Sequence, residues 1–267
     1  MITSSNNAKV KQVVQWQTKA KERRKDHVFL AEGVRMCEEA PVKSVREVYL
    51  TEELEQKLRR NAQNGDTAFW DKLQQTGYET VSPEVFAKMA DTQTPQGILT
   101  VLEQPSYDLT QLLKQPEPLF LILENLQDPG NLGTMIRTGE GAGITGVIMN
   151  QQTVDIFNPK TIRATMGSIF RVPFVYVPEL SPVLTQIHER GIHTYAAHLK
   201  GQKYYDSFSF REPTAFLIGN EGNGLTKEIS DQAGQYLKIP MEGKVESLNA
   251  SIAAALLMYE AHRQRNL

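Results

Sequence analysis

The chain has 267 residues, with 29 Lys+Arg against 31 Asp+Glu and a formal net charge of −2. At about one domain per 150 residues, this length predicts two domains, each able to bury a core. The near-neutral total excludes a bulk polycation and an acidic tail, and 40% apolar with 22% charged residues is a soluble globular composition. The single cysteine, Cys37, forms no intrachain disulfide, which points to a reducing compartment. The longest unbroken apolar run, Ile252 to Tyr259, falls far short of a membrane span. The segment MITSSNNAKVKQ has no hydrophobic signal core, so a cytoplasmic protein is expected.

Charge is unevenly spread along the chain. Residues 1–30 carry seven basic residues (Lys9, Lys11, Lys19, Lys21, Arg23, Arg24 and Lys25) and two acidic ones, a net of +5. Residues 31–103 carry eight basic and thirteen acidic residues, a net of −5. Val10, Val13 and Val14 have i, i+3, i+4 spacing, which predicts an amphipathic helix with lysines on its wet face. From charge alone that helix is either a solvated face or a nucleic-acid contact.

Alternating elements follow. Val45 to Leu50 reads as a strand, Glu52 to Ala62 as a helix and Tyr78 to Val81 as a strand. Ser82-Pro83 opens a short helix, with serine at the cap and proline in the first turn. Gly97 to Leu102 closes this small α/β domain over residues 1–103. Pro105, Pro116 and Pro118 then punctuate a stretch without periodicity, which reads as a linker over 104–118. From Leu119 onward apolar runs of strand length recur at Leu119–Leu123, Gly146–Met149, Phe174–Val177, Thr194–Ala197, Ala215–Ile218 and Tyr236–Ile239. Helical segments separate most of them, which predicts a parallel sheet covered on both faces in a second α/β domain, 119–267. Ligands of such sheets bind beyond the carboxyl ends of the strands.

Three loops at such strand ends carry chemistry. The first, Glu124 to Gly133, follows LFLIL, and Asp128-Pro129 predicts a helix start. Arg137 lies one turn past Gly133, and helical side chains lean toward the N-terminus. The guanidinium then passes over a residue without a side chain and suits a phosphate or carboxylate. Taken alone, it reads rather as a surface salt-bridge partner. The second loop, Gly219 to Leu225, has three glycines around Glu221, and the flanking strand and helix argue against its bland alternative, a glycine-rich hairpin. Leu225-Thr226 replaces the Lys-Ser/Thr pair of a nucleotide P-loop. The third runs from Ile239 to Ser251 into IAAALLMYE, where Ser247 or Asn249 can cap a helix that Ala250, Ala253 and Ala254 keep slim. Gly141 to Gly146 matches G-x-G-x-x-G but ends a helix before a strand, the reverse of the dinucleotide context. His188, His193 and His198 do not share a helical face, and one cysteine offers no companion ligand, so no metal is expected.

Together, NLGTMIRTGEGAG, LIGNEGNGL and IPMEGKVESLNASIAAALLMYE resemble the three-motif signature of the SpoU/TrmH family of RNA ribose 2′-O-methyltransferases. The resemblance covers about residues 119–263. FLAEGVRMCEEA and TPQGILTVLEQ are similar, less specifically, to the ribosomal-protein-like substrate-binding domain often fused to that family. It implies an α/β sheet with a trefoil-knotted C-terminal segment (the SPOUT class) and a homodimer. It also implies S-adenosylmethionine as cofactor, held by Gly219, Ile239 and Leu248. Gly139-Glu140-Gly141 departs from the alanines of many relatives and should soften its helix.

The resemblance further implies that Arg137 contacts RNA phosphate and ribose hydroxyl, with Asn131 orienting the arginine and the ribose. Glu221 would hold the motif loops, and Ser247 and Asn249 would position substrate or cofactor. The partner expected is RNA, ribosomal RNA more than tRNA. A tRNA ribose methyltransferase, a base methyltransferase and a non-catalytic RNA-binding or ribosome-assembly factor of the same fold are the alternatives.

Overall fold

The computed structural model describes residues 1–198, 200–244 and 247–266. The chain divides into two units, Met1–Pro105 with Phe157–Phe170, and Ser106–Ile156 with Arg171–Leu267. The first begins with α1 (Ala8–Thr18), whose cap Asn7 accepts from the Lys9 N–H. Val10, Val13 and Trp16 are buried, whereas Val14 is only half-buried. The Trp16 indole donates to the Asp26 carboxylate at 2.7 Å, which fixes α2 (Ala20–Asp26) against α1.

Four strands follow: β1 (Val28–Glu32), β2 (Val45–Thr51), β3 (Glu79–Val81) and β4 (Ile98–Glu103). Their order is β1-β4-β2-β3, with β4 antiparallel to both neighbours and β3 parallel to β2. Helices α3 (Val34–Glu39), α4 (Glu52–Gln63), α5 (Ala68–Thr76) and α6 (Pro83–Met89) complete the α/β unit. Ser82 caps α6 with Pro83 in its first turn, as the sequence predicts.

The second unit carries α7 (Leu109–Leu112), β5 (Leu119–Leu123), α8 (Pro129–Ala142) and β6 (Gly146–Asn150). After α9 (Pro159–Thr165) it resumes with β7 (Phe174–Val177), α10 (Ser181–Glu189), β8 (His193–Ala197), β9 (Lys203–Tyr204) and β10 (Thr214–Ile218). It ends with α11 (Lys227–Asp231), β11 (Gln235–Lys238) and α12 (Ala250–Arg265). The seven strands form one sheet in the order β7-β6-β5-β10-β8-β11-β9, and every pairing is parallel. β5, β6 and β10 are buried along their full length, the signature of a sheet covered on both faces. Each of the six apolar runs read from the sequence is a strand of this sheet.

Three details differ from the sequence reading. The segment 104–118 holds α7, and its Leu112 and Leu113 are buried beside Phe120, Ile148 and Leu184 in the core of the second unit. The prolines mark its irregular ends, and a four-residue helix is too short to show a period. The segment 157–170 belongs with the first unit. There Phe29 meets the rings of Phe157 and Phe170 at 5.0 and 6.2 Å, and Arg163 pairs with Asp91. Finally, β9 has only two residues, below the length of a readable pattern.

Helices α8 and α12 pack on one another. A side chain at Gly139 would lie 2.3 Å from Ile144 Cδ1 and 3.6 Å from Met258 Sδ. The glycine expected to soften the helix therefore also lets the turn into β6 close tightly. Arg265 anchors the other end of α12. Its guanidinium donates to the carbonyls of Phe210, Glu117 and Glu212 at 2.8, 2.8 and 2.7 Å. This ties the last helix to the segments entering β5 and β10.

Candidate active site

The site forms beyond the carboxyl ends of β5 and β10, neighbours in the sheet. At the end of β5 the buried Glu124 accepts from the backbone N–H and the hydroxyl of Thr226, both at 2.7 Å. A lone carboxylate ending an all-apolar strand was the one sequence sign of this clamp. Asp128 then caps α8, accepting from the Asn131 N–H at 2.8 Å, with Pro129 in the first turn.

The loop after β10 folds on itself. Its ends pair as an isolated antiparallel bridge, with Asn220 and Gly224 exchanging backbone hydrogen bonds at 3.0 and 2.8 Å. A Cβ at Gly219 would lie 2.1 Å from Gly224 C and Leu225 N, so no other residue fits there. The loop is thus a tight glycine turn as well as a strand–helix connection, and the hairpin alternative was partly right. Glu221 stands at its tip.

Glu221 draws the three loops together. One carboxylate oxygen accepts from the Asp128 N–H at 2.9 Å and the Asn131 amide at 3.1 Å, and the other from the Gln127 N–H at 3.1 Å. The Asn131 amide oxygen in turn accepts from the Asn249 side-chain amide at 2.9 Å. Asn249 caps α12, its oxygen accepting from the Ser251 N–H and hydroxyl at 2.8 and 2.6 Å. Partial burial opposes the charge of Glu221. The Asp128 N–H, the Asn131 amide and the Gln127 N–H outweigh it and hold the carboxyl below its usual range. Such a carboxylate is a weak base and a good anchor.

Arg137 lies on α8 one turn beyond the buried Gly133, exposed, with no hydrogen bond or ion pair among the described residues. Its donors are available to a ligand. Gly219 is buried at the end of β10, and half-buried Ile239 follows β11. Ser247 is exposed and Leu248 half-buried on the segment entering α12. Val245 and Glu246 of the third motif lie outside the described residues. The structure thus joins Asn131, Glu221 and Asn249 by hydrogen bonds and gives Arg137 and Ser247 no bond to them among the described residues. Glu124, Asn125, Asn150 and Asn220, which brace these loops, were not singled out from the sequence.

Comparison with known proteins gives the family. Residues 118–259 match the model of the SpoU rRNA Methylase family, and residues 7–100 match the MRM3-like substrate binding domain. The chain is 34% identical to the Bacillus subtilis 23S rRNA (guanosine(2553)-2′-O)-methyltransferase RlmP over 97% of each chain. It also resembles two solved structures. One is the AdoMet-bound rRNA methyltransferase of Sinorhizobium meliloti (TM-score 0.84, 28% identity, 98% of this chain and 97% of that one). The other is the SpoU methyltransferase AviRb of Streptomyces viridochromogenes with the cofactor AdoMet (TM-score 0.83, 27% identity, 98% of this chain and 99% of that one). No described helix is long and apolar enough to cross a membrane. A parallel α/β sheet with three loops gathered at its carboxyl edge, preceded by a substrate-binding domain, makes this chain a member of the SpoU rRNA methylase family.

Proposed function

We propose that this chain transfers a methyl group from S-adenosylmethionine to a ribose 2′-hydroxyl of ribosomal RNA in the cytoplasm. The observation that carries the reading is the chain of hydrogen bonds from Glu221 through Asn131 to Asn249, which unites all three motif loops at the start of the helix that carries Arg137. The cofactor's sulfonium supplies an electrophilic methyl when bound. Gly219, without room for a side chain, beside half-buried Ile239 and Leu248 suits its mixed apolar and polar surface. The 23S rRNA specificity in the name of the similar RlmP favours ribosomal RNA over tRNA.

A ribose hydroxyl is a poor nucleophile and must be aligned and relieved of its proton. Arg137 stays protonated beside an anionic RNA and supplies electrostatic activation, with the RNA phosphate as proton acceptor. Asn131, fixed on both sides, presents one orientation to the arginine and the ribose. Glu221 stays ionised and holds Asn131, while Ser247 and Asn249 position substrate or cofactor.

Five exposed cations along α1, α2 and the residue that joins them (Lys11, Lys19, Lys21, Arg24 and Lys25) supply RNA affinity. Lys9 is paired with Glu79, and Arg23 is buried against the Trp16 and Gln17 carbonyls. The C-terminal segment is threaded as a trefoil knot, a reading supported by α12 returning from β11 to lie on α8. Two chains associate through α12, which is apolar on two faces. Ala254, Leu257, Met258 and Ala261 are buried, whereas Ile252, Leu256 and Tyr259 are 50%, 37% and 49% exposed on the other side. A second copy of that face is the occupant.

Three tests follow from these roles. Arg137→Ala should lower methyl transfer to rRNA by about 100-fold or more while calorimetry finds cofactor affinity within about three-fold. Retained turnover would remove the arginine's role, and absent cofactor binding in the parent chain would favour a non-catalytic RNA-binding factor. Reversing Lys19, Lys21 and Lys25 to Glu leaves the buried Val10, Val13 and Trp16 in place, unlike truncation. It should weaken RNA binding about ten-fold at low salt and flatten the salt slope, since each lost phosphate contact removes about 0.7 to 0.9 from it. Unchanged affinity and slope would contradict this surface. Light scattering should give twice the 30.1 kDa chain mass, and one chain mass for Leu256→Glu. A variant that stays paired places the interface elsewhere.

A further inference from the structure

Behind the motif loops lies a second layer of hydrogen bonds, rooted at the end of β6. Asn150, its last residue, is 8% exposed. Its side-chain oxygen accepts from the Asn125 N–H at 3.0 Å and from the Thr153 hydroxyl at 2.8 Å. A backbone N–H only donates, so the atom facing it is the oxygen, and the orientation of this amide is fixed. The Asn150 Nδ2 is thereby aimed at Asn125 Oδ1, 2.7 Å away.

Asn125 has φ 56, in the left-handed region that asparagine adopts more readily than other residues with a side chain. Its carbonyl accepts from Asn220 Nδ2 at 2.9 Å and Gln127 Nε2 at 3.0 Å. Asn220 then folds the glycine turn, its oxygen accepting from the Gly222 and Asn223 N–H groups, both at 3.0 Å. The path runs from the end of β6, through the end of β5, to the turn that carries Glu221.

We infer that Asn150 is a positioning residue for the methyl transfer: through Asn125 and Asn220 it sets where Glu221 meets Gln127, Asp128 and Asn131. The inference rests on the reading of the site as a methyltransferase, yet the geometry it describes is measurable without turnover. Asn150 touches none of the proposed catalytic groups. A carboxylate in its place keeps the two accepted bonds and turns the donated one into a repulsion against Asn125 Oδ1. A carboxylate in place of Asn125 keeps an acceptor for Asn150 Nδ2.

The test compares Asn150→Asp with Asn125→Asp in the full chain. In Asn150→Asp, kcat on rRNA should fall about ten-fold or more, with the KM for S-adenosylmethionine within about two-fold, the signature of a displaced catalytic geometry. Amide exchange at Gln127 and Asp128 should quicken about ten-fold, while Leu121 and Ile148 inside the strands keep their protection. Asn125→Asp should be affected far less on both readouts. Equal impairment of the two variants, parent-like kcat in Asn150→Asp, or unchanged exchange at Gln127 and Asp128 would overturn the inference. If the parent chain transfers no methyl group, the proposed function fails, and the exchange comparison alone then decides the role of Asn150.

Discussion

An ionised carboxylate removed from part of its water must find donors, and Glu221 finds them in the loop that leads into α8. Two are the backbone N–H groups of Gln127 and Asp128, at the N-terminal end of α8, where the helix dipole also favours a negative charge. The third is the Asn131 amide, whose oxygen then receives the Asn249 amide. Segments about ninety and more than a hundred residues apart in the chain are locked in one geometry by a single charge. Its sign of pH dependence follows. A folded-state pKa below the ordinary 4.5 gives a stabilisation that is fully present above that value and fades as pH falls through the lower one. At neutral pH the tie is whole, and the carboxylate has little tendency to take a proton from a hydroxyl. Arg137, which has no hydrogen bond or ion pair among the described residues, is the group to which the proposal gives the electrostatic role.

The parallel sheet makes this meeting place. Because β5 and β10 are adjacent and parallel, their following loops emerge side by side at the same edge. Gly219 brings the second loop's turn against its own strand, where a Cβ would collide with Gly224 and Leu225. Gly139 does the same service for the turn into β6. At both positions the absence of a side chain is a packing requirement.

Much of this was legible before the structure, and the reasons are physical. The strands buried on both faces stand out as apolar runs, and the caps Ser82, Asp128 and Asn249 announce the helices they start. The three motifs point to the right loops because their residue types are demanding. What stayed hidden was non-local or too short. Nothing in the segment 157–170 says that its Phe157 and Phe170 will pack against Phe29 in the first unit. Asn125, Asn150 and Asn220 look like ordinary loop amides until the sheet brings them together. The charge count misled in a similar way. A total of −2 conceals an N-terminal excess, and the structure trims that excess by pairing Lys9 and burying Arg23.

In the proposed reading, this lattice serves a ribose 2′-O-methyltransferase of ribosomal RNA. The direct measurement maps 2′-O-methyl groups and base methylations in rRNA and tRNA from cells with and without this protein. A discrete ribose methylation in rRNA should disappear with the protein and return with the parent sequence. An unchanged rRNA methylation map, or a loss confined to tRNA or to a base, would contradict it.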